Sequence, residues 1–155
     1  MVEIIDYAGK YAKDFRDLNL EWLESYNLTE SHDLEIINHP QETILDTGGY
    51  IFLAKEGDKI IGTAGIANEG DSVYELVKMT VAPSFRGKGI SKMLIEKCLD
   101  KARELKAKKI FLYSNSQLQT AISLYKKYGF VHVDASNSPL VTADVKMEMM
   151  VVSTE

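Results

Sequence analysis

"VAPSFRGKGIS", residues 81–91, decides how this chain is read. A strand-like run ends at Pro83, then Arg86 and Lys88 alternate with Gly87 and Gly89, and an apolar-periodic helix begins at once. The first amide groups of a helix lack an intrahelical partner and lie at the positive end of its dipole. Glycines placed before them let an anion approach the backbone. The stretch therefore reads as a phosphate-binding turn, and its spacing says which kind it is not. A Walker loop needs G-x-x-x-x-G-K-[ST]; here Gly87-Lys88 is followed by Gly89, and the upstream glycine is missing. A dinucleotide fingerprint needs G-x-G-x-x-G at the start of a βαβ unit; here Lys92 holds the third position.

Downstream of the turn, Ile90, Met93, Leu94, Cys98, Ala102 and Leu105 form one helical stripe. "KKIFLYS" (108–114) reads as an apolar strand buried on both faces. "QLQTAISLYKKY" (117–128) reads as a helix, with Gly129 as a left-handed C-cap residue. "FVHVDA" (130–135) and "VKMEMMVV" (145–152) supply two last strands. Upstream, "YIFLAK", "KIIGTAGIA" and "SVYELVKMTVA" are joined by turns at Glu56-Gly57-Asp58 and Asn68-Glu69-Gly70-Asp71, an antiparallel meander. "VEIIDY" is a first strand, and Tyr11, Phe15, Leu18, Trp22 and Leu23 pattern a helix from Tyr7 to about Tyr26. "ESHDLEIINHP" adds a short helix, with Ser31 as its N-cap and Pro40 as its end. The order is β-α-α-β-β-β-α-β-α-β-β. The expected fold class is mixed α/β: a central, mostly antiparallel sheet of about seven strands flanked by helices.

Bulk properties agree. At 155 residues with 45% hydrophobic content, the chain is expected to form a single domain over 1–155. No apolar run approaches the roughly 20 residues that span a bilayer, and no secretory signal is evident at the N-terminus. One cysteine excludes an intramolecular disulfide and points to a reducing, cytoplasmic location. The net charge of −5 argues against a nucleic-acid binder. His32, His39 and His132 show no metal-ligand spacing, so no metal is expected. Charge is unevenly spread: Glu21 to Asp46 holds seven acids and no Lys or Arg, whereas Ser84 to Lys109 holds nine Lys or Arg against three acids. Either two solvated helix faces differ in sign, or one region suits anions and the other cations.

The motifs now converge. Arg86-Gly87-Lys88-Gly89-Ile90-Ser91 resembles the R/Q-x-x-G-x-G/A acyl-CoA pyrophosphate loop of the GNAT superfamily of N-acetyltransferases. "AISLYKKYGF" (121–130) resembles that family's A-x-x-L-Y-x-x-x-G-F signature, and the element order matches along nearly the whole chain. Two positions differ. Ser91 replaces a glycine or alanine, and its hydroxyl offers a further phosphate contact. Leu118 stands where the family often has asparagine, with Asn115 three residues earlier as the candidate pantetheine contact.

The resemblance implies acetyl-CoA as cosubstrate and direct attack by a primary amine in a ternary complex. Such a reaction must deprotonate the amine, stabilise an oxyanion and protonate a thiolate. Glu75, in alternation with Val73, Val77, Met79 and Val81, is an odd carboxylate on an apolar face and the candidate base. A structural or substrate-positioning role is the alternative. The family also carries a bulge in this strand, which would break the alternation beyond it. The backbone N–H of Met79 or Val81 is the implied oxyanion donor, with the pantetheine lying as an extra strand beside them. Tyr125 is the candidate acid, since a phenol of pKa near 10 suits a thiolate near 8.5; a core aromatic is the alternative. Tyr128, Cys98, Met147, Met149 and Met150 are read as core, and Trp22 as core rather than pocket lining.

The family's first two helices border the acceptor, so the acidic run implies a cationic small-molecule amine. Protein or peptide N-acetylation, and a non-catalytic acyl-CoA sensor, remain rival readings. The final strand is expected to expose an edge through which a homodimer could form.

Overall fold

The computed structural model of the chain describes residues 1–139 and 141–151. Its elements are β1 (Val2–Asp6), α1 (Ala12–Ser25), α2 (Ser31–Asn38), β2 (Tyr50–Glu56), β3 (Lys59–Asn68), β4 (Val73–Val81), α3 (Ile90–Glu104), β5 (Lys109–Ser114), α4 (Gln119–Lys127), β6 (Val131–Val133) and β7 (Val145–Met150). The strands form one sheet in the order β1-β2-β3-β4-β5-β7-β6. Every neighbouring pair is antiparallel except β4 and β5. The fold class is the one expected. No helix among the described residues is long and apolar enough to cross a membrane.

Each face of the sheet has its own core. On one face α3 buries Ile90, Leu94, Ile95, Cys98, Leu99 and Ala102, and α4 buries Ile122 and Tyr125. These pack on Leu76, Val81, Ile110, Leu112 and Met147 of the strands. The α3 stripe differs in detail from the expectation: Ile95 and Leu99 are inside, while Met93 is exposed. On the other face Phe15 of α1 and Ile37 of α2 pack on Ile51, Leu53, Ile60 and Val77.

Four expectations are corrected. The α2 N-cap is Glu30, not Ser31; the Glu30 N–H donates to Asp33 Oδ2 at 3.2 Å. β5 is fully covered on one side only, because Phe111 and Tyr113 lie half-exposed beneath the Lys146 ammonium. The final strand β7 is no edge: it lies between β5 and β6, so the unpaired edges belong to β1 and β6. Of the three methionines assigned to the core, Met147 is buried, Met149 packs against it, and Met150 is 65% exposed. The continuation of β7 into Val152 lies outside the described residues.

Two departures from regularity create the site. Thr63 pairs with Thr80 and Gly65 with Val77, so Lys78 and Met79 stand opposite the single Ala64 in a β-bulge. Lys78 has φ 52 there, a left-handed conformation that non-glycine residues seldom adopt. An extra residue bends a strand and increases its twist. Beside this bend β4 and β5 pair only at Val73–Lys109, Tyr74–Ile110 and Glu75–Phe111. Past Glu75 they separate, while β7 stays paired with β5 as far as Ser114.

Candidate active site

The phosphate-type turn lies at the end of β4. Pro83–Phe85 forms one turn of 3-10 helix, Gly87 and Gly89 take φ 77 and 81, and α3 starts at Ile90. A Cβ added at either glycine would meet nothing within 4 Å. Packing does not demand glycine at either position; the positive φ does, and the space above both is open. Gly89 is the α3 N-cap and provides no side-chain cap, which leaves the helix's first amides for another acceptor. Buried Ile90 anchors that end, half-buried Ser91 lies in the first turn, and Arg86, Lys88 and both glycines are exposed. Arg86 Nε donates to Val81 O at 3.0 Å, which spends one of its donors on the strand end. Lys88 and Lys59 hold their ammonium groups 5.5 and 5.6 Å from the Phe85 ring centre.

Between this turn and the last β4–β5 pair lies a stretch of strand with no partner on the β5 side. Ala82 donates its N–H to Ile61 O at 2.8 Å. In an antiparallel ladder alternate amides face the partner strand, so the Val81 N–H points away from β3, into the gap. The bulge also reverses the side-chain alternation. Val77 packs with α1 and α2, but Met79 and Val81 pack in the α3–α4 core, so they do not share the face of Glu75 as strict alternation required.

Glu75 sits at the point of separation, paired to Phe111 across the sheet and half-buried on the α1–α2 side with Val77. Desolvation pushes its carboxyl up to about 7, Glu69 and Asp33 add to the rise, and Lys78 and Lys146 oppose it. A carboxyl poised there exchanges a proton readily near neutral pH. Tyr125 lies across the sheet, 8% exposed and edge-on to Phe130 at 5.9 Å between ring centres. Burial and the neighbouring Cys98 push its phenol above the usual range. Cys98 is wholly buried and its thiol is likewise raised by desolvation, as suits a packed thiol rather than a nucleophile.

Other residues singled out in the sequence have defined surroundings. Asn115 Nδ2 donates to Thr142 O at 2.6 Å, and its Oδ1 accepts the Gln117 N–H at 3.0 Å. Both ends of the amide are thus engaged in holding the β5–α4 loop. Trp22 lies outside both cores, half-buried and tilted against Tyr26 at 5.1 Å, which corrects its reading as core. Tyr128 packs against the core, but its hydroxyl donates to Glu96. The acidic run also changes meaning. Glu21, Glu24, Glu35, Glu42 and Asp46 are exposed. Glu30 accepts the N–H groups of Val141 and Thr142 at 3.0 and 2.9 Å, and Asp33 pairs with Lys78. Outside that run, Glu69 of the β3–β4 turn is the acid whose charge acts most strongly on Glu75. Sequence reasoning missed Lys78 and Asp33; the one available signal was a lysine inside the apolar run "ELVKMTV". No cluster of metal-ligating side chains occurs among the described residues.

Residues 13–130 match the acetyltransferase (GNAT) family. The chain is 34% identical over 105 residues to the Escherichia coli N-acetyltransferase YjgM, covering 65% of this chain and 62% of that protein. It thus spans less than two thirds of that relative. Its fold is that of a GNAT acetyltransferase from Staphylococcus aureus, with a TM-score of 0.90 over 98% of this chain and all of the other, at 21% identity. It is also that of the PaiA N-acetyltransferase from Thermoplasma acidophilum, solved with coenzyme A, with a TM-score of 0.76 over 97% and 99% of the two chains at 17% identity. That match spans well over half of the sequence, and the chain belongs to the GNAT acetyltransferases.

Proposed function

We propose that the protein transfers an acetyl group from acetyl-CoA to a primary amine within a ternary complex. The observation that carries this is a half-buried Glu75, with its carboxyl raised to about 7, at the point where β4 and β5 part. In this reading Arg86, Gly87, Lys88, Gly89, Ile90 and Ser91 cradle the pyrophosphate. The pantetheine runs along the open side of β4 towards Met79 and Val81. The amine nitrogen attacks the thioester carbonyl carbon from the α1–α2 side, and the Val81 N–H stabilises the oxyanion. Glu75 accepts the amine proton, the C–S bond breaks as the amide C–N bond forms, and Tyr125 supplies a proton to the departing sulfur. Burial raises the Tyr125 phenol, so it is neutral and keeps that proton until negative charge has grown on the sulfur.

The acceptor in this proposal is a cationic small molecule. Glu69 beside Glu75 gives the acceptor side a negative potential, and the exposed acids Glu21 and Glu24 of α1 extend it outwards. A thiol-release assay of acetyl-CoA against cationic, neutral and anionic amines, run at low and high salt, tests both parts. Cationic amines should give the highest kcat/KM, and salt should lower it by screening. Equal, salt-independent rates would remove the charge preference. Stabilisation by acetyl-CoA with no thiol release from any amine would make the chain a binding module instead.

A further inference from the structure

Among the buried polar groups to which the proposed reaction gives no part is the Lys78–Asp33 ion pair. Lys78 occupies the bulge at φ 52. Its ammonium meets the Asp33 carboxylate of α2 with side-chain exposures of only 11% and 4%. Asp33 is itself fixed, because its second oxygen accepts the Glu30 N–H at 3.2 Å. The bulge is held from α1 and β3 as well: Asn19 Nδ2 donates to Thr63 Oγ1 at 3.1 Å, and Thr63 Oγ1 donates to Lys78 O at 2.7 Å. Three elements, α1, α2 and β3, therefore converge on one lysine of β4. Buried ion pairs add little stability over apolar replacements, so stability alone does not account for this arrangement.

What the arrangement does is place two opposite, immobile charges on the side of the sheet that Glu75 faces. Lys78 favours the Glu75 carboxylate, and Asp33 favours its acid form. The other charged groups facing Glu75 are Glu69 from the β3–β4 turn and Lys146 from β7; Tyr113 of β5 is a titratable neighbour. From α1 the buried polar group is the neutral Asn19. We propose that Lys78 and Asp33 are a fixed charge pair that sets how strongly Glu75 holds its proton, Asp33 offsetting part of the pull that the Lys78 ammonium exerts. Its catalytic consequence rests on the reading of Glu75 as the base.

Carboxyl 13C NMR titration of the full chain tests the pair directly, with Glu75→Gln identifying the Glu75 resonance. Asp33→Asn should lower the Glu75 midpoint by about one pH unit, a tenfold change in proton affinity. Lys78→Met should raise it by more, because the ammonium acts more strongly on Glu75 than Asp33 does, and Asp33→Asn/Lys78→Met should fall between the two single variants. Midpoints that do not move, or that move the same way in both single variants, would overturn the proposal. If Asp33→Asn does not fold, Lys78→Gln carries the test, and an unmoved midpoint there overturns it equally. The pH profile of kcat/KM separates the two readings. An acid limb that follows the NMR midpoints supports both. Shifted midpoints with an unshifted limb leave the charge pair standing and remove Glu75 as the base.

Discussion

Tyr125 combines near-complete burial with a hydroxyl that makes no hydrogen bond among the described residues. A buried phenol normally finds a partner, so this donor is available to a reacting sulfur. Replacing Tyr125 with Phe removes that donor and leaves the ring contact with Phe130 in place. Steady-state kinetics should show kcat falling by about 10²-fold, with acetyl-CoA affinity and melting temperature nearly unchanged. An unchanged kcat, with the chemical step shown to be rate-limiting, would take Tyr125 out of the mechanism. At this scale the sequence was informative where a residue broke a pattern. Glu75 stood out as an acid on an apolar face, and Tyr125 stood within a motif. Asp33 and Lys78 lie 45 positions apart, and nothing local links them. The contact of Asn115 with the Thr142 carbonyl was equally out of reach, because that partner lies 27 positions away.

Among the elements, the turn before α3 is the most local in its logic. Gly87 and Gly89 have positive φ and open space over their Cβ positions, and so does Gly57 in the β2–β3 hairpin. Substituting alanine at Gly89 or Gly57 should cost a similar stability, about 1 kcal/mol, since both force a left-handed alanine. Only Gly89→Ala should also reduce the rise in melting temperature that acetyl-CoA produces, because there the new methyl meets the ligand. A thermal-shift titration of the two variants makes the comparison, and an equal acetyl-CoA shift in both would refute the cradle. The strands were harder to read. Alternation placed Met79 and Val81 beside Glu75, and one extra residue at Lys78 turned them to the other core. The resemblance had implied a bulge, but its position is decided by pairing with β3, which no short window of sequence contains.

For the whole molecule, Glu75 ties function to stability through its proton. Its carboxyl is raised from 4.5 to about 7 in the fold, so folding favours the protonated form. The stability this residue allows is fully present below its unfolded pKa and is lost as pH rises through about 7. Glu75→Gln, which stays neutral, should therefore gain on the wild type between those limits and keep a constant advantage above them. Urea unfolding at several pH values measures this. A variant that is less stable than the wild type at high pH would mean that Lys78 and Lys146 stabilise the carboxylate outright. The number and order of elements, the glycine turn and the α4 signature were all determined by the sequence alone, because periodicity, turn chemistry and helix-start geometry act within a few residues of one another. Tertiary structure decided the rest: which face each β4 residue takes, where β4 and β5 part, that β7 is internal, and which of the acids between Glu21 and Asp46 keep a free charge. Each of these depends on what packs or pairs from a distant part of the chain, and burial and charge pairing are properties of that arrangement rather than of any segment.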